Sequence, residues 1–364
     1  MNLKTQNVMF LLRATQHGGT ENVVLQLCKI FKSKVNKIVV CSADGFRTGL
    51  LTDMGIRHYV IKDLENKSLS AMISIIKDIN MVIGKEKITV IHTHHRMATL
   101  YANILRLFHG FKIISTAHNT FEDKKLLTKI AYHNVEIAAC GQMVRNNLVD
   151  YFGISNERVR VIHNAVEPFS DKVVPCQEIE ELHRAGHFVI GNIGRLSEQK
   201  GMGYYIQAAS IVLKKNDNVK FVIVGSGEEE SKLRTLVSSL QLEKYITFLG
   251  YRNDPQNLMS QMDLIVLSSL WEGLPLTPIE AFSVGKTIVA TAVDGTTEIV
   301  EDGKSGLLVK PKDAKEIAEE IIWMIEHPKE RSKMENSALK RYKDEFTFEK
   351  LSEEYMELYK EMIC

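Results

Sequence analysis

The chain has 364 residues, 45% of them hydrophobic and 25% charged, with a formal net charge of +1. That length favours two domains, and the composition is that of a soluble globular protein. No run approaches the ~18–20 apolar residues of a membrane span, and the opening MNLKTQNVMFLLRA lacks the order of a signal peptide. The small net charge hides an asymmetry: residues 1–170 hold 22 Lys and Arg against 13 Asp and Glu, and the rest hold 24 against 32. A basic first half suits an anionic surface or substrate. Its cations are spread without aromatic interleaving, so an anionic membrane fits better than nucleic acid, and no nucleic-acid partner is expected. Five scattered cysteines without metal spacing read as buried thiols in a reducing cytoplasm, so the expected location is cytoplasmic, with peripheral contact at the inner face of the membrane.

In chain order, strands are predicted at Asn7–Ala14, Lys37–Ser42, His58–Ile61, Ile88–His94, Lys112–Ala117, Glu136–Cys140 and Val159–His163, with amphipathic helices between them. Near-continuous apolar strands alternating with helices indicate a parallel sheet covered on both faces. After His163 the pattern stops, and NAVEPFSDKVVPCQEIEEL reads as an interdomain linker. The alternation restarts with strands at Phe188–Gly194, Lys220–Gly225, Ile246–Leu249, Leu264–Ser268, Thr287–Ala290 and Gly306–Val309, and an amphipathic helix closes the chain. The fold class is therefore α/β: two tandem doubly wound Rossmann-like domains, 1–168 and 169–345, whose strand ends face a cleft. Helix 346–364 is expected to pack back on the first domain.

Several strand ends carry residues suited to an anion. Gly18 and Gly19 stand where the first strand turns into a helix that Thr20 can cap, and amides at a helix N-terminus attract anions. A nicotinamide site is disfavoured, because GxGxxG and an acid at the end of the second strand are both missing. In the second half, Arg195 and Lys200 share the loop after the opening strand, and a planar fork plus a movable point charge suit a diphosphate. Gly225 ends the next strand and could admit a ligand or merely allow a turn. WEGLPLTPIEAF places Glu272 and Glu280 on either side of a Gly/Pro turn. Thr277-Pro278-Ile279-Glu280 reads as a capping box, with Thr277 as N-cap. His92, His94 and His95 form HTHH, but without an acidic cluster zinc is disfavoured.

The motifs GGTE, GRLSEQKG, VGSGEEE, FLGY, EGLPLTPIEAFSVGKTIVAT and GLLVKPKD follow one another in that order. With them the chain resembles the retaining glycosyltransferases of family 4, which have the GT-B fold. The resemblance implies a nucleotide diphosphate sugar as co-substrate, UDP-sugar ahead of GDP-sugar, and a glycan acceptor in cell-surface polysaccharide assembly; the basic first half points to a lipid-diphosphate-linked glycan as that acceptor. It implies that Gly273, Leu274, Pro275, Leu276 and Thr277 offer backbone to the donor, that Glu272 binds a sugar hydroxyl, and that Glu280 binds the ribose. It also implies that the base lies near Tyr251 and Arg252, that Asn164 borders the donor site, and that His118 touches the transferred sugar. Arg195 and Lys200 would neutralise the leaving diphosphate; the chain has no Asp-x-Asp triplet, and neither a metal nor another cofactor is expected. The candidate catalytic residues are thus His118, Glu272, Arg195 and Lys200. Ala165 stands where the family often has glycine, which would strain a positive-φ turn by about 1 kcal/mol. A sugar-nucleotide 2-epimerase of the same fold and a non-catalytic partner subunit are the competing readings.

Overall fold

The structure is a computed structural model that describes residues 3–14, 19–43, 48–66, 68–169 and 172–363. It divides into two compact units, one running through Asn164 and including the closing helix from Phe348, the other spanning Ala165–Thr347. The chain thus passes between the units twice, at 164/165 and at 347/348.

The first unit is built on seven strands: β1 (Asn7–Ala14), β2 (Lys37–Ala43), β3 (Arg57–Val60), β4 (Val90–Thr93), β5 (Lys112–Ala117), β6 (Glu136–Ala139) and β7 (Val159–Val161). They lie in the order 3-2-1-4-5-6-7, all parallel. Val8 to Leu12 of β1 are all buried, as a strand with helices on both faces requires. The closing helix Phe348–Ile363 buries Leu351, Tyr355, Leu358, Tyr359 and Ile363. That spacing is the apolar stripe of an amphipathic helix, and the Tyr359 ring packs 4.2 Å from that of Phe31. Outside the stripe, Glu361 accepts from Arg160 at 2.6 Å.

The second unit has β8 (Phe188–Ile193), β9 (Val219–Val224), β10 (Ile246–Gly250), β11 (Leu264–Leu267), β12 (Ile288–Thr291) and β13 (Leu307–Val309), in the parallel order 10-9-8-11-12-13. Tyr205 sits inside its core, and its hydroxyl donates to the Ile190 carbonyl at 2.8 Å. The stretch expected to be a linker is part of this unit. Helix Gln177–Arg184 forms there with Ile179 buried, and the side chains of Asn257 and Gln261 accept from the Val174 and Cys176 amides, both at 2.8 Å. Two prolines masked one amphipathic turn. Among the described residues no helix is long and apolar enough to cross a membrane.

One buried acid ties a helix of the first unit to its sheet edge. Glu86, last residue of helix Leu69–Glu86, accepts from Lys37 at 2.8 Å, from Arg57 at 2.6 Å and from the Tyr59 hydroxyl. These donors, Lys37 first, hold its carboxyl down to about 2. A depressed carboxylate stabilises the fold above its unfolded value near 4.5 and loses that contribution as pH falls towards 2. The cations that cover it are themselves solvated, so its worth is about 2 kcal/mol. Glu86→Gln should lose about that much at pH 7 in urea denaturation and only about a quarter of it at pH 2.5; an equal loss at both would show that shape, not charge, matters.

Candidate functional site

In the second unit the strand order reverses between β8 and β11, the neighbours that open a crevice at their carboxyl ends. The loop after β8 carries Arg195 and Lys200; the loop after β11 carries Glu272. The two loops are stitched together. Leu270 N–H donates to the Gln199 carbonyl at 2.7 Å, Gln199 Nε2 to the Trp271 carbonyl at 3.0 Å, and Ser268 Oγ to the Lys200 carbonyl at 3.0 Å. Gly201 has φ +56°, and a Cβ there would stand 2.2 Å from the Ser268 carbonyl. Only glycine lets the loops approach this closely.

Within that frame Lys200 Nζ meets Glu272 Oε1 at 2.5 Å, with both side chains largely buried. The same oxygen accepts from Ser269 Oγ at 2.6 Å, while Oε2 has only Gln199 Nε2 at 3.4 Å. Glu272 is therefore anchored through one oxygen and keeps acceptor capacity on the other. Arg195, five residues earlier, pairs with Glu228 at 3.0 Å in the open, its side chain 65% exposed. Such a pair is worth ~0–1 kcal/mol and is readily exchanged for a stronger anion.

The expected capping box is not present. The helix runs Leu276–Ser283 with Pro275 in the capping position, which places Thr277 inside the first turn, its hydroxyl donating to the Ile193 carbonyl at 3.5 Å. Pro275 has extended φ/ψ and begins the helix two residues earlier than Thr277 would. The amides of Leu276 and Thr277 consequently lie in the turn that lacks intrahelical acceptors. Gly273, Leu274 and Pro275 are buried behind them. Glu280 is partly open to the surface, but its carboxyl has no hydrogen-bond donor among the described residues. Burial raises it to about 7, with the Lys200 charge opposing.

The remaining residues of this unit are placed less directly. Gly225 has φ +142°, and a Cβ there would fall 1.9 Å from the Gly194 carbonyl, so its place is fixed by backbone packing between the loops after β9 and β8. Tyr251 is exposed just beyond β10. Arg252 is engaged in a two-pronged pair with Asp254, both bonds 3.0 Å.

In the first unit, His118 follows β5 and is partly exposed; its Nε2 lies 3.1 Å from His94 Nδ1. His92 and His94 share a face, rings stacked at 4.5 Å, whereas the His95 side chain accepts from Met97 N–H and caps helix Arg96–Arg106. Among the described residues no three His, Cys, Asp or Glu side chains are grouped to hold a metal ion. Gly18 lies outside the described residues. Gly19 begins helix Gly19–Phe31, which places Thr20 inside the helix instead of at its cap. Asn164 is buried at the boundary of the unit. Ala165 is not among the positive-φ residues, so the strain expected there is absent.

Residues 177–341 match the family model described as Glycosyl transferases group 1, and residues 17–168 match that of Glycosyltransferase Family 4. The two together span most of the chain. It is a GT-B glycosyltransferase of the family 4 type. Among similar proteins, an Escherichia coli UDP-Gal:alpha-D-GlcNAc-diphosphoundecaprenol alpha-1,3-galactosyltransferase is 29% identical, over 81% of this chain and 82% of its own length. A Staphylococcus aureus poly(ribitol-phosphate) alpha-N-acetylglucosaminyltransferase is 22% identical over 74% of this chain and 52% of its own. The fold is shared with Anabaena HepE in complex with UDP, TM-score 0.84 and 22% identity, covering 98% of this chain and 100% of that one.

Several residues that build the crevice between β8 and β11 were not foreseen. Ser269 and Gln199 bind Glu272, and Thr291 Oγ1 fixes the Ser269 carbonyl at 2.6 Å. Gly295 backs the turn: a Cβ there would stand 1.8 Å from the Gly273 carbonyl. Serine, glutamine and threonine at strand ends carry little signal alone, and Gly295 in VDGTTE gave only a loop.

A carboxyl raised in the fold stabilises below its unfolded value near 4.5, and that contribution is lost as pH rises through about 7. Glu280→Gln should therefore match the wild type near pH 4 and exceed it by about 2 kcal/mol at pH 8 in chemical denaturation. A constant difference at both pH values would remove the raised carboxyl.

Proposed function

We propose that this glycosyltransferase moves a hexosyl or N-acetylhexosaminyl unit from a UDP-sugar to a lipid-linked glycan, with retention and without a metal. The observation that carries the reading is the Lys200–Glu272 pair in the crevice between β8 and β11, with Arg195 on the same loop. Arg195, Lys200 and the first-turn amides of helix Leu276–Ser283 are the groups that would take up charge on the leaving diphosphate. Glu272 would hold a sugar hydroxyl through its less-used oxygen, Glu280 the ribose hydroxyls, and His118 the transferred sugar. Retention usually calls on a carboxylate nucleophile, and Glu272 is committed to Lys200 and Ser269. We therefore assign same-face attack. The acceptor oxygen bonds to the anomeric carbon as the bond to the phosphate oxygen breaks, and that departing oxygen takes the acceptor's proton. Two relatives whose names specify alpha linkages support this assignment.

The lipid-linked acceptor draws on the diphosphoundecaprenol substrate in one relative's name and on the surface of the first unit. Leu107, Phe108, Leu126 and Ile130 are 52–81% exposed. Their helices adjoin, since Asn103 donates to the Ala131 carbonyl at 2.8 Å and Arg106 to those of Asn134 and His133. With Lys124, Lys125 and Lys129 alongside, this apolar and cationic face suits an anionic bilayer surface.

Nucleotide release from a panel of UDP-, GDP- and ADP-sugars, with and without EDTA, tests the reaction. Slow release from one UDP-sugar is expected, unchanged by EDTA and lost in Glu272→Ala and Arg195→Ala, with a glycosidic product of retained anomeric configuration when acceptor is present. A sugar epimer as product, or no binding of any donor, would overturn the assignment.

Vesicle sedimentation tests the surface. The protein should pellet with anionic vesicles, less so as salt screens the lysines, and Phe108→Ser with Leu126→Ser should weaken that binding. Equal binding to neutral and anionic vesicles would refute it.

A further inference from the structure

The three histidines of the first unit form a chain whose hydrogen-bond polarity can be read. β4 and β5 are adjacent and parallel, so His92 and His94 at the end of one meet Thr116 and His118 at the end of the other. The His94 backbone is fixed, its N–H donating to the Leu11 carbonyl at 2.9 Å. Its ring lies between those of His92, at 4.5 Å, and His118, at 5.4 Å, both stacked. His92 is clamped in turn: Nδ1 lies 2.9 Å from the Tyr359 hydroxyl and Nε2 2.8 Å from Thr116 Oγ1, which also meets the Tyr355 hydroxyl at 2.8 Å. The closing helix thus supplies two tyrosines that hold the stack from behind.

Burial keeps all three rings neutral. It lowers His92 to about 3, His118 to about 4, and His94 well below its ordinary value; charge is further opposed on His92 by His118, on His94 by His92 and His118, and on His118 by His95. A neutral imidazole has one N–H and one bare nitrogen. Between His94 Nδ1 and His118 Nε2 there is therefore one shared proton, and it belongs to one ring or the other. If His118 donates, His94 must carry its own proton on Nε2. That atom is buried and has no hydrogen-bond partner among the described residues, so an N–H would be stranded there. If His94 Nδ1 donates, its Nε2 is only a bare acceptor, and buried donors without partners are the rarer condition in folded proteins.

We infer that His94 is a positioning residue that fixes the tautomer of His118, so that His118 meets its ligand as an Nδ1–H donor. The inference rests on the assignment of His118 to the transferred sugar. It adds a direction: His118 gives a hydrogen bond to an oxygen of the ligand and does not accept its proton.

Nitrogen-15 NMR of the full chain labelled at histidine reads the tautomer directly at neutral pH, with His118→Asn to assign the signals. A protonated Nδ1 and a bare Nε2 on His118 are expected; the reverse overturns the inference. His94→Asp offers only acceptors and should move a proton onto His118 Nε2, lowering donor turnover about tenfold without an equal drop in melting temperature. His94→Asn, which can still donate, should retain the wild-type signal and turn over faster than His94→Asp. Equal behaviour of the two variants would reduce His94 to packing. The NMR signal needs no turnover, so a wild type with the expected tautomer and no activity on any donor would sink the transferase reading and leave the tautomer standing.

Discussion

The crevice between β8 and β11 depends on one ammonium. Lys200 stands 2.5 Å from a buried carboxylate, and the loops bearing the two charges are bonded to each other through backbone as well. Taking both charges out of water costs several kcal/mol per ion, which the attraction between them repays only with good geometry and further hydrogen bonds. Here Ser269 and Gln199 supply those bonds to Glu272. A pair built this way adds little to stability. What it gives is position: a cation that solvent cannot pull away, at the reversal point of a parallel sheet.

The same cation governs Glu280. Its carboxyl feels Lys200 without touching it, and that attraction is too weak to offset burial. One lysine thus serves two acids unequally, bonding the one it contacts and leaving the other near its switching point. Two ribose hydroxyls are two donors, and an ionised carboxylate accepts both. A nucleotide would then supply the hydrogen bonds that Glu280 lacks in the fold described here.

What the sequence made legible follows from what each signal depends on. Strand positions were readable because doubly covered strands are continuous apolar runs, and β8 and β11 lie where those runs lie. Arg195, Lys200 and the two glutamates stood out as charged residues at strand ends. Their pairing did not: Lys200 was read as suited to a diphosphate, and its tie to Glu272 arises because β8 and β11 are neighbours although β9 and β10 intervene in sequence. The helix start was misplaced because Thr-Pro-Ile-Glu fits a local capping rule, whereas the chain turns helical two positions earlier, after Pro275, which makes no side-chain cap. Helix Gln177–Arg184 was hidden by flanking prolines, and its only buried side chain is Ile179.

HTHH shows the same limit from the other side. Four residues with three identical rings look like a ligand set, and alternation along a strand already separates His95 from the other two. The local sequence could not reveal that Tyr355 and Tyr359, more than 230 residues away in the chain, would occupy the space behind them. Once those hydroxyls engage His92 and Thr116, the rings stack instead of converging. His92 then has both nitrogens engaged, while His94 has His118 on one nitrogen and the other left over. A run of neutral histidines is therefore directional, and its direction is set at His94, where a buried nitrogen has no partner among the described residues.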